Sequence, residues 1–150
     1  MKNIFEKEIV KEVIARIENL TAETKPNWGK MNVQQMLAHL CVPYEMVYTQ
    51  KHAKPNALVK LFLKLFIKKA VVSEKPFSKN GKTSAQFKIT DERFFEEEKQ
   101  RLIGALIKTQ ELGTSEFEGK VSDSFGALTA KEWNTLFYKH LDHHLTQFGV

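Results

Sequence analysis

The C-terminal segment carries the most sharply defined structural signal in the chain. Thr129 is followed three residues later by Glu132, the spacing of a capping box, in which two side chains bond reciprocally to free backbone N–H groups at a helix start. Apolar residues then recur at three- and four-residue intervals from Trp133 to Phe148. This segment is therefore predicted to form a long amphipathic helix that buries one face.

Similar patterns predict three other long helices. The first covers about residues 3–20, where one apolar stripe repeats at helical spacing. The second begins after Asn32, which has Gln35 at capping-box distance. The third is predicted to start at Thr90 and to end at Gly113, since glycine is the usual residue just beyond a helix end.

The region between the second and third long helices predicts a covering helix. From Pro55 to Val72 the pattern is helical, and we expect its apolar residues to rest on the core while its lysines form a solvated face. The lysine line consists of Lys60, Lys64 and Lys68, and the apolar residues are Leu58, Leu61, Phe62, Leu65 and Phe66. A polar stretch from Ser73 to Thr90 follows, which is long for a loop and suggests a functional segment.

The chain as a whole is predicted to form one domain over residues 1–150. Its 150 residues are enough for a single core, and neither a repeat nor an interdomain linker is visible. The fold class expected from the helical patterns is all-α, a bundle of four long helices with an extra covering helix between the second and third.

Composition excludes several classes of function. The net charge of +5 is a mild excess, concentrated between Lys51 and Lys82, and no helix combines arginine clusters with base-reading side chains, so nucleic acid is not an expected partner. Lysines interrupt the longest apolar stretch, so no transmembrane segment is expected. A solvated face is favoured for the lysines of this stretch over the alternative of anchoring on an anionic membrane, so no membrane partner is expected. A single cysteine, Cys41, and an N-terminal stretch without an uninterrupted apolar run favour a cytoplasmic location.

Two histidines of the C-terminal helix have the spacing of a metal site. His140 and His144 lie four residues apart and fall on the same face as Trp133 and Phe137, so both rings are predicted to point inward. Such a pair can direct two imidazole nitrogens at one point. Zinc in open sites usually has three protein ligands, so a third ligand is needed.

The third ligand is sought among the remaining histidines, Cys41 and the carboxylates. His39 lies at the flank of the apolar stripe of the second helix, whereas His52 follows a helix end in a polar run. His143 lies at the edge of the C-terminal stripe, and Cys41 should point away from a metal held by His39. The pattern favours His39, His140 and His144. The alternative is that these are hydrogen-bonded core histidines without a metal.

Two stretches resemble a known superfamily. WGKMNVQQMLAHL at residues 28–40 and SFGALTAKEWNTLFYKHLDHHLTQFGV at residues 124–150 resemble an uncharacterised branch of the DinB/YfiT-like superfamily. The resemblance implies a four-helix bundle, frequently dimeric, with a divalent metal, commonly zinc or nickel, held by one histidine of the second helix and an HxxxH pair of the last. His39, His140 and His144 match these positions, and Gln147 matches a polar position that often follows.

The resemblance also implies a class of activity. The best characterised relatives are thiol transferases and isomerases that use bacillithiol, mycothiol or a related low-molecular-weight thiol, although their substrate contacts have no counterpart that can be placed here. We therefore expect a metal-dependent transferase or hydrolase acting on a small molecule, as a homodimer. The competing interpretation is a non-catalytic bundle whose metal or histidine cluster is structural and which acts through a protein partner.

Overall fold

The computed structural model describes all residues from 1 to 150, and the chain in it is mostly helical. The helices are α1 Lys7–Glu18, α2 Val33–Tyr48, α3 Ala57–Phe62, a π-helical stretch Leu63–Ile67, α4 Lys68–Val72, a 3-10 turn Ala85–Phe87, α5 Phe95–Phe117 and α6 Ala130–Gln147. None of these helices combines the length and the apolar composition that crossing a membrane requires.

Both predicted capping boxes are present. The Asn32 side chain accepts from the backbone N–H of Gln35 at 2.8 Å, and the Gln35 side chain accepts from the N–H of Asn32 at 3.1 Å. Thr129 and Glu132 make the same reciprocal pair at 3.2 and 2.9 Å. Satisfied backbone groups at these two ends fix where α2 and α6 begin.

Other predicted helix ends need correction. Helix α1 is shorter than the predicted 3–20, and α5 begins at Phe95 rather than Thr90. Arg93 holds the chain before α5 in a non-helical course by pairing with Asp91 at 2.8 Å and with Glu98 at 3.1 Å. Gly113, with φ 72° and ψ 175°, interrupts the helix at the predicted end, and a second, short helical stretch follows it directly and continues to Phe117.

A small hairpin corrects the purely α-helical expectation. Strands β1 Val121–Ser122 and β2 Gly126–Ala127 pair in an antiparallel manner, with Val121 opposite Ala127. Strands of two residues are too short to show the alternating pattern by which a strand is recognised in a sequence.

The core lies among α1, α2, α5 and α6, and α5 and α6 each contact the other three helices. Aromatic rings form its centre: Phe117 contacts Trp133 and Phe137, with ring centroids 5.8 Å apart in both cases, and Tyr44 stacks on Phe137 at 4.6 Å. These rings anchor α6 against α2 and thereby set the height at which the histidines of the two helices meet.

The face of the covering helix that points inward is the one opposite to the predicted face. We call residues 57–72, which comprise α3, the π-helical stretch and α4, the outer segment. Its inward side consists of partly buried residues, while the apolar stripe expected to rest on the core faces solvent; the partly buried residues are Lys60, Leu63, Lys68, Val71 and Val72. The ion pair between Lys68 and Glu132, at 2.9 Å, helps to hold the segment in this orientation.

Candidate metal centre

Three histidines from two helices meet between α2 and α6. His39 is presented by α2, and His140 and His144 by successive turns of α6. His39 Nε2 lies 2.8 Å from His140 Nε2 and 3.0 Å from His144 Nε2. One potential ligand atom from each of the three lies within 4.8 Å of the others. The structure thus brings together the three residues that the sequence singled out.

The outer nitrogen of His39 is held by a backbone carbonyl. His39 Nδ1 lies 2.8 Å from the carbonyl oxygen of Phe87, and because that oxygen can only accept, Nδ1 carries the proton. A neutral His39 therefore has its lone pair on Nε2, the atom that faces the other two rings.

The outer nitrogen of His144 is held by Gln147. His144 Nδ1 lies 2.7 Å from Gln147 Oε1, and Gln147 Nε2 donates to the carbonyl oxygen of Trp28 at 2.6 Å. The Trp28 carbonyl fixes which end of the amide faces His144, since only the NH₂ end can donate to it. His144 Nδ1 must then be the donor, and the lone pair of this ring also lies on Nε2.

Two lone pairs consequently face each other at 3.0 Å. His39 Nε2 and His144 Nε2 are both acceptors in the neutral rings, so this contact is unfavourable unless a cation lies between or beside them. Two nitrogens that bind one ion at about 2.0–2.1 Å lie about 2.9–3.4 Å apart. The donor set and its spacing fit a divalent transition metal, and a carbonyl or carboxylate on the far nitrogen is the usual arrangement for a metal-binding imidazole.

Burial keeps these imidazoles neutral. His39 and His144 are only 4% and 8% exposed. Desolvation lowers the pKa of His144 from 6.5 to about 3 and that of His140 well below 6.5, and it also lowers the pKa of His39 against the opposing effect of its Phe87 hydrogen bond. Neutral rings at pH 7 leave their Nε2 lone pairs available as ligands.

The loop predicted to be functional covers the centre. The Phe87 ring packs edge-on against His39 and His140, at centroid distances of 5.6 and 6.0 Å. Phe77 packs similarly on His143 at 5.7 Å. Both aromatic rings belong to the stretch Ser73 to Thr90, so this loop supplies a wall as well as the carbonyl that orients His39.

The other ligand candidates lie elsewhere. His52 Nε2 is 2.8 Å from Glu45 Oε2, and the Cys41 thiol faces the carbonyl oxygen of Glu98 at 4.0 Å, away from the centre as expected. His143 packs between aromatic rings, with Trp28 6.0 Å away. None of these side chains belongs to the convergent set.

Sequence reasoning could not rank the residues that orient the imidazoles. Four side chains of α2 and α6 lie within helical reach of these histidines. Of these, Gln147 bonds to His144, whereas Gln35 forms the α2 capping box and Glu45 pairs with His52. The fourth, Tyr44, has a buried hydroxyl without a hydrogen-bond partner. The carbonyl groups of Phe87 and Trp28 were missed, because a backbone acceptor has no signature in the residue type.

Gly29 makes the approach of Gln147 possible. Its φ of 85° lies in the left-handed region, and a Cβ added there would come within 2.4 Å of Gln147 Nε2. The neighbouring backbone N–H of Asn27 donates to the Gln147 carbonyl at 2.7 Å. Residues 27–29 thus hold the end of α6 by bonding to both the backbone and the side chain of Gln147.

Comparison with known proteins identifies a family without an assigned function. A family described as "Protein of unknown function (DUF1569)" matches residues 5–149 of the chain, a range that includes the three histidines and Gln147. No curated protein and no solved structure matches the chain significantly.

Proposed function

The chain belongs to this family of unknown function, and we propose that it binds a divalent metal ion through His39, His140 and His144 to support thiol-dependent group transfer. One observation carries the proposal: the Nε2 atoms of His39 and His144, both without a proton, face each other at 3.0 Å. A bound cation relieves that contact, whereas a metal-free histidine cluster does not.

The resemblance to the DinB/YfiT-like superfamily gives the proposal its chemistry. We infer a bundle arrangement of that type for α1, α2, α5 and α6, zinc or nickel as the ion, and a low-molecular-weight thiol as the co-substrate. A divalent ion on three neutral imidazoles keeps its +2 charge and favours the deprotonated form of a thiol or a water.

The chain's own residues have separate tasks in this proposal. The Phe87 carbonyl and Gln147 hold two of the imidazoles in the tautomer that leaves Nε2 free. The ring of Phe87 packs on His39 and His140 and excludes water from one side of the centre. Exclusion of water lowers the local dielectric constant and thereby strengthens the electrostatic effect of any charge held there.

The burial of the histidines supports a second candidate function, a structural metal in a non-catalytic protein. His39 and His144 are nearly inaccessible, and none of the three histidines lines the cavity of about 300 Å³ that lies beside Asn3 and Thr135. A closed coordination shell would stabilise α6 against α2 without offering a position to a substrate.

Metal analysis tests the common part of both functions. Wild-type protein loaded with Zn²⁺ or Ni²⁺ and desalted should retain one ion per chain, and His140→Ala should lose it. His52→Ala is the matched control, because His52 bonds to Glu45 and not to the centre. Full stoichiometric metal in His140→Ala defeats the assignment.

Cobalt substitution separates the catalytic from the structural function. If the Co²⁺ form has an open position, adding a small thiol should produce a thiolate-to-cobalt charge-transfer band and change the visible spectrum. A spectrum unchanged at saturating thiol indicates a closed shell and favours the structural function.

A further inference from the structure

The outer segment exposes an apolar stripe to solvent. Its residues are spaced as one helical face, and their exposed fractions run from 53% to 77%: Leu58, Leu61, Phe62, Leu65 and Phe66. The rings of Phe62 and Phe66 contact each other, with centroids 5.1 Å apart, but no other aromatic ring. Contiguous exposed apolar groups of this size mark a surface that another body covers.

Charge on the outer segment has one sign. Between Glu45 and Glu74 the chain has six lysines and no acidic residue. Three of these lysines pair with acidic groups of other segments, at Glu45, Asp123 and Glu132. The other three, Lys60, Lys64 and Lys69, have no ion pair. The segment with the uncovered apolar stripe thus also has unpaired cations, of which Lys64 and Lys69 are exposed and Lys60 is half-buried.

The segment is fixed to the body of the protein before any partner arrives. Lys139 Nζ donates to the carbonyl oxygens of Ala70 at 2.8 Å and Lys75 at 3.3 Å, and also to that of Ser73. These bonds place a buried cation at the C-terminal end of α4, where the helix dipole favours positive charge. The exposed stripe is therefore preorganised, which lowers the cost of docking.

We propose that the outer segment docks flat on an anionic lipid surface, with the apolar stripe in the headgroup boundary and the exposed Lys64 and Lys69 attracted by the anionic headgroups. A helical segment with an apolar face and additional exposed cations lies in the plane of a membrane. A second copy of the chain fits less well, because a twofold contact would bring the same unpaired lysines together. This inference departs from the sequence-based expectation of a solvated lysine face, and the outward apolar stripe is the reason.

Vesicle sedimentation tests the proposal with the full chain. The protein should sediment with phosphatidylcholine vesicles containing phosphatidylserine, bind pure phosphatidylcholine far less, and be released as salt is raised. Replacing Lys64 and Lys69 together with glutamine should weaken binding about fivefold per charge, or about 25-fold in all. The matched control replaces the exposed and unpaired Lys7 and Lys25 with glutamine and should change binding much less.

Substitutions in the apolar stripe test its insertion. Phe66→Ser should weaken vesicle binding by about tenfold or more, whereas Phe94→Ser, at a similarly exposed phenylalanine outside the segment, should not. Phe66→Trp should show a blue shift in fluorescence on anionic vesicles. Both positions are exposed, so the variants should remain folded.

Three results would overturn the proposal. They are the absence of binding to anionic vesicles, equal binding to both kinds of vesicle, and a dimer in sedimentation velocity that Phe66→Ser converts to monomer. The last result would assign the stripe to a second copy of the chain.

Discussion

Replacing Gln147 with leucine should separate the orientation of His144 from the fold that surrounds it. Gln147 is 4% exposed and makes two side-chain hydrogen bonds, one with His144 Nδ1 and one with the Trp28 carbonyl. Leucine has a similar size but neither donates nor accepts. Gln147→Leu therefore leaves one buried N–H and one buried carbonyl without partners.

The expected magnitudes follow from those two groups. A buried polar group left without a partner costs about 1–3 kcal/mol, so with two such groups the free energy of unfolding should fall by roughly 2–6 kcal/mol. Without its acceptor, His144 can rotate or shift its proton to Nε2, and loss of such a partner typically weakens metal affinity about 10- to 100-fold. Urea denaturation measures the first quantity, and competition with a chromophoric chelator measures the second.

The matched control is Gln35→Leu. Gln35 belongs to the capping box of α2, the helix that carries His39, but it does not contact the histidines. This variant should lose about 1 kcal/mol of stability and keep its metal affinity. If Gln147→Leu folds and binds metal as tightly as the wild type, then His144 is not a ligand oriented by Gln147, and the reasoning fails.

Three further predictions concern burial and backbone geometry. Burial lowers the pKa of His144 to about 3, so as the pH falls the unfolded metal-free chain takes up a proton on this residue before the folded chain does. The free energy of unfolding should therefore fall as the pH drops below 6.5, by about 2 kcal/mol at pH 5 for this residue. A free energy of unfolding that does not change with pH in urea denaturation would contradict this. Gly29→Ala should displace Gln147 and weaken metal binding in the chelator assay, whereas Gly119→Ala, with similar φ but open space, should affect stability alone. Burial raises the pKa of Cys41 to about 12, so a thiol reagent should modify it only after denaturation, and rapid reaction of the native chain would disprove this.

The features that sequence could predict are those decided by near neighbours along the chain. A capping box needs only residues three positions apart, and both predicted boxes are present at Asn32 and Thr129. The inward direction of His140 and His144 follows from helical periodicity in the same way. The meeting with His39 was predicted from the stripe of α2, and its position in the fold depends on how α2 packs against α6.

The outer segment shows where such local reasoning ends. An amphipathic pattern defines two faces of a helix, but the face that lies inward depends on what the rest of the chain offers. Here Glu132 forms an ion pair with Lys68, and Lys139 donates hydrogen bonds to carbonyl groups at the C-terminal end of α4. These polar partners, distant in sequence, hold the segment with its apolar stripe outward.

Two loops that contribute no histidine determine which ring nitrogens of the cluster are free to bind a metal ion. Helical spacing brings His140 and His144 together, and the packing of α2 against α6 adds His39, but either nitrogen of a neutral ring can hold the proton. The Phe87 carbonyl and the Trp28 carbonyl, the latter acting through Gln147, decide that the protons of His39 and His144 lie on the outside. Both carbonyl groups belong to segments without regular periodicity, and any residue type could supply them. An HxxxH pair with a third histidine therefore predicts where a metal centre can form, whereas the loops determine whether its lone pairs point inward.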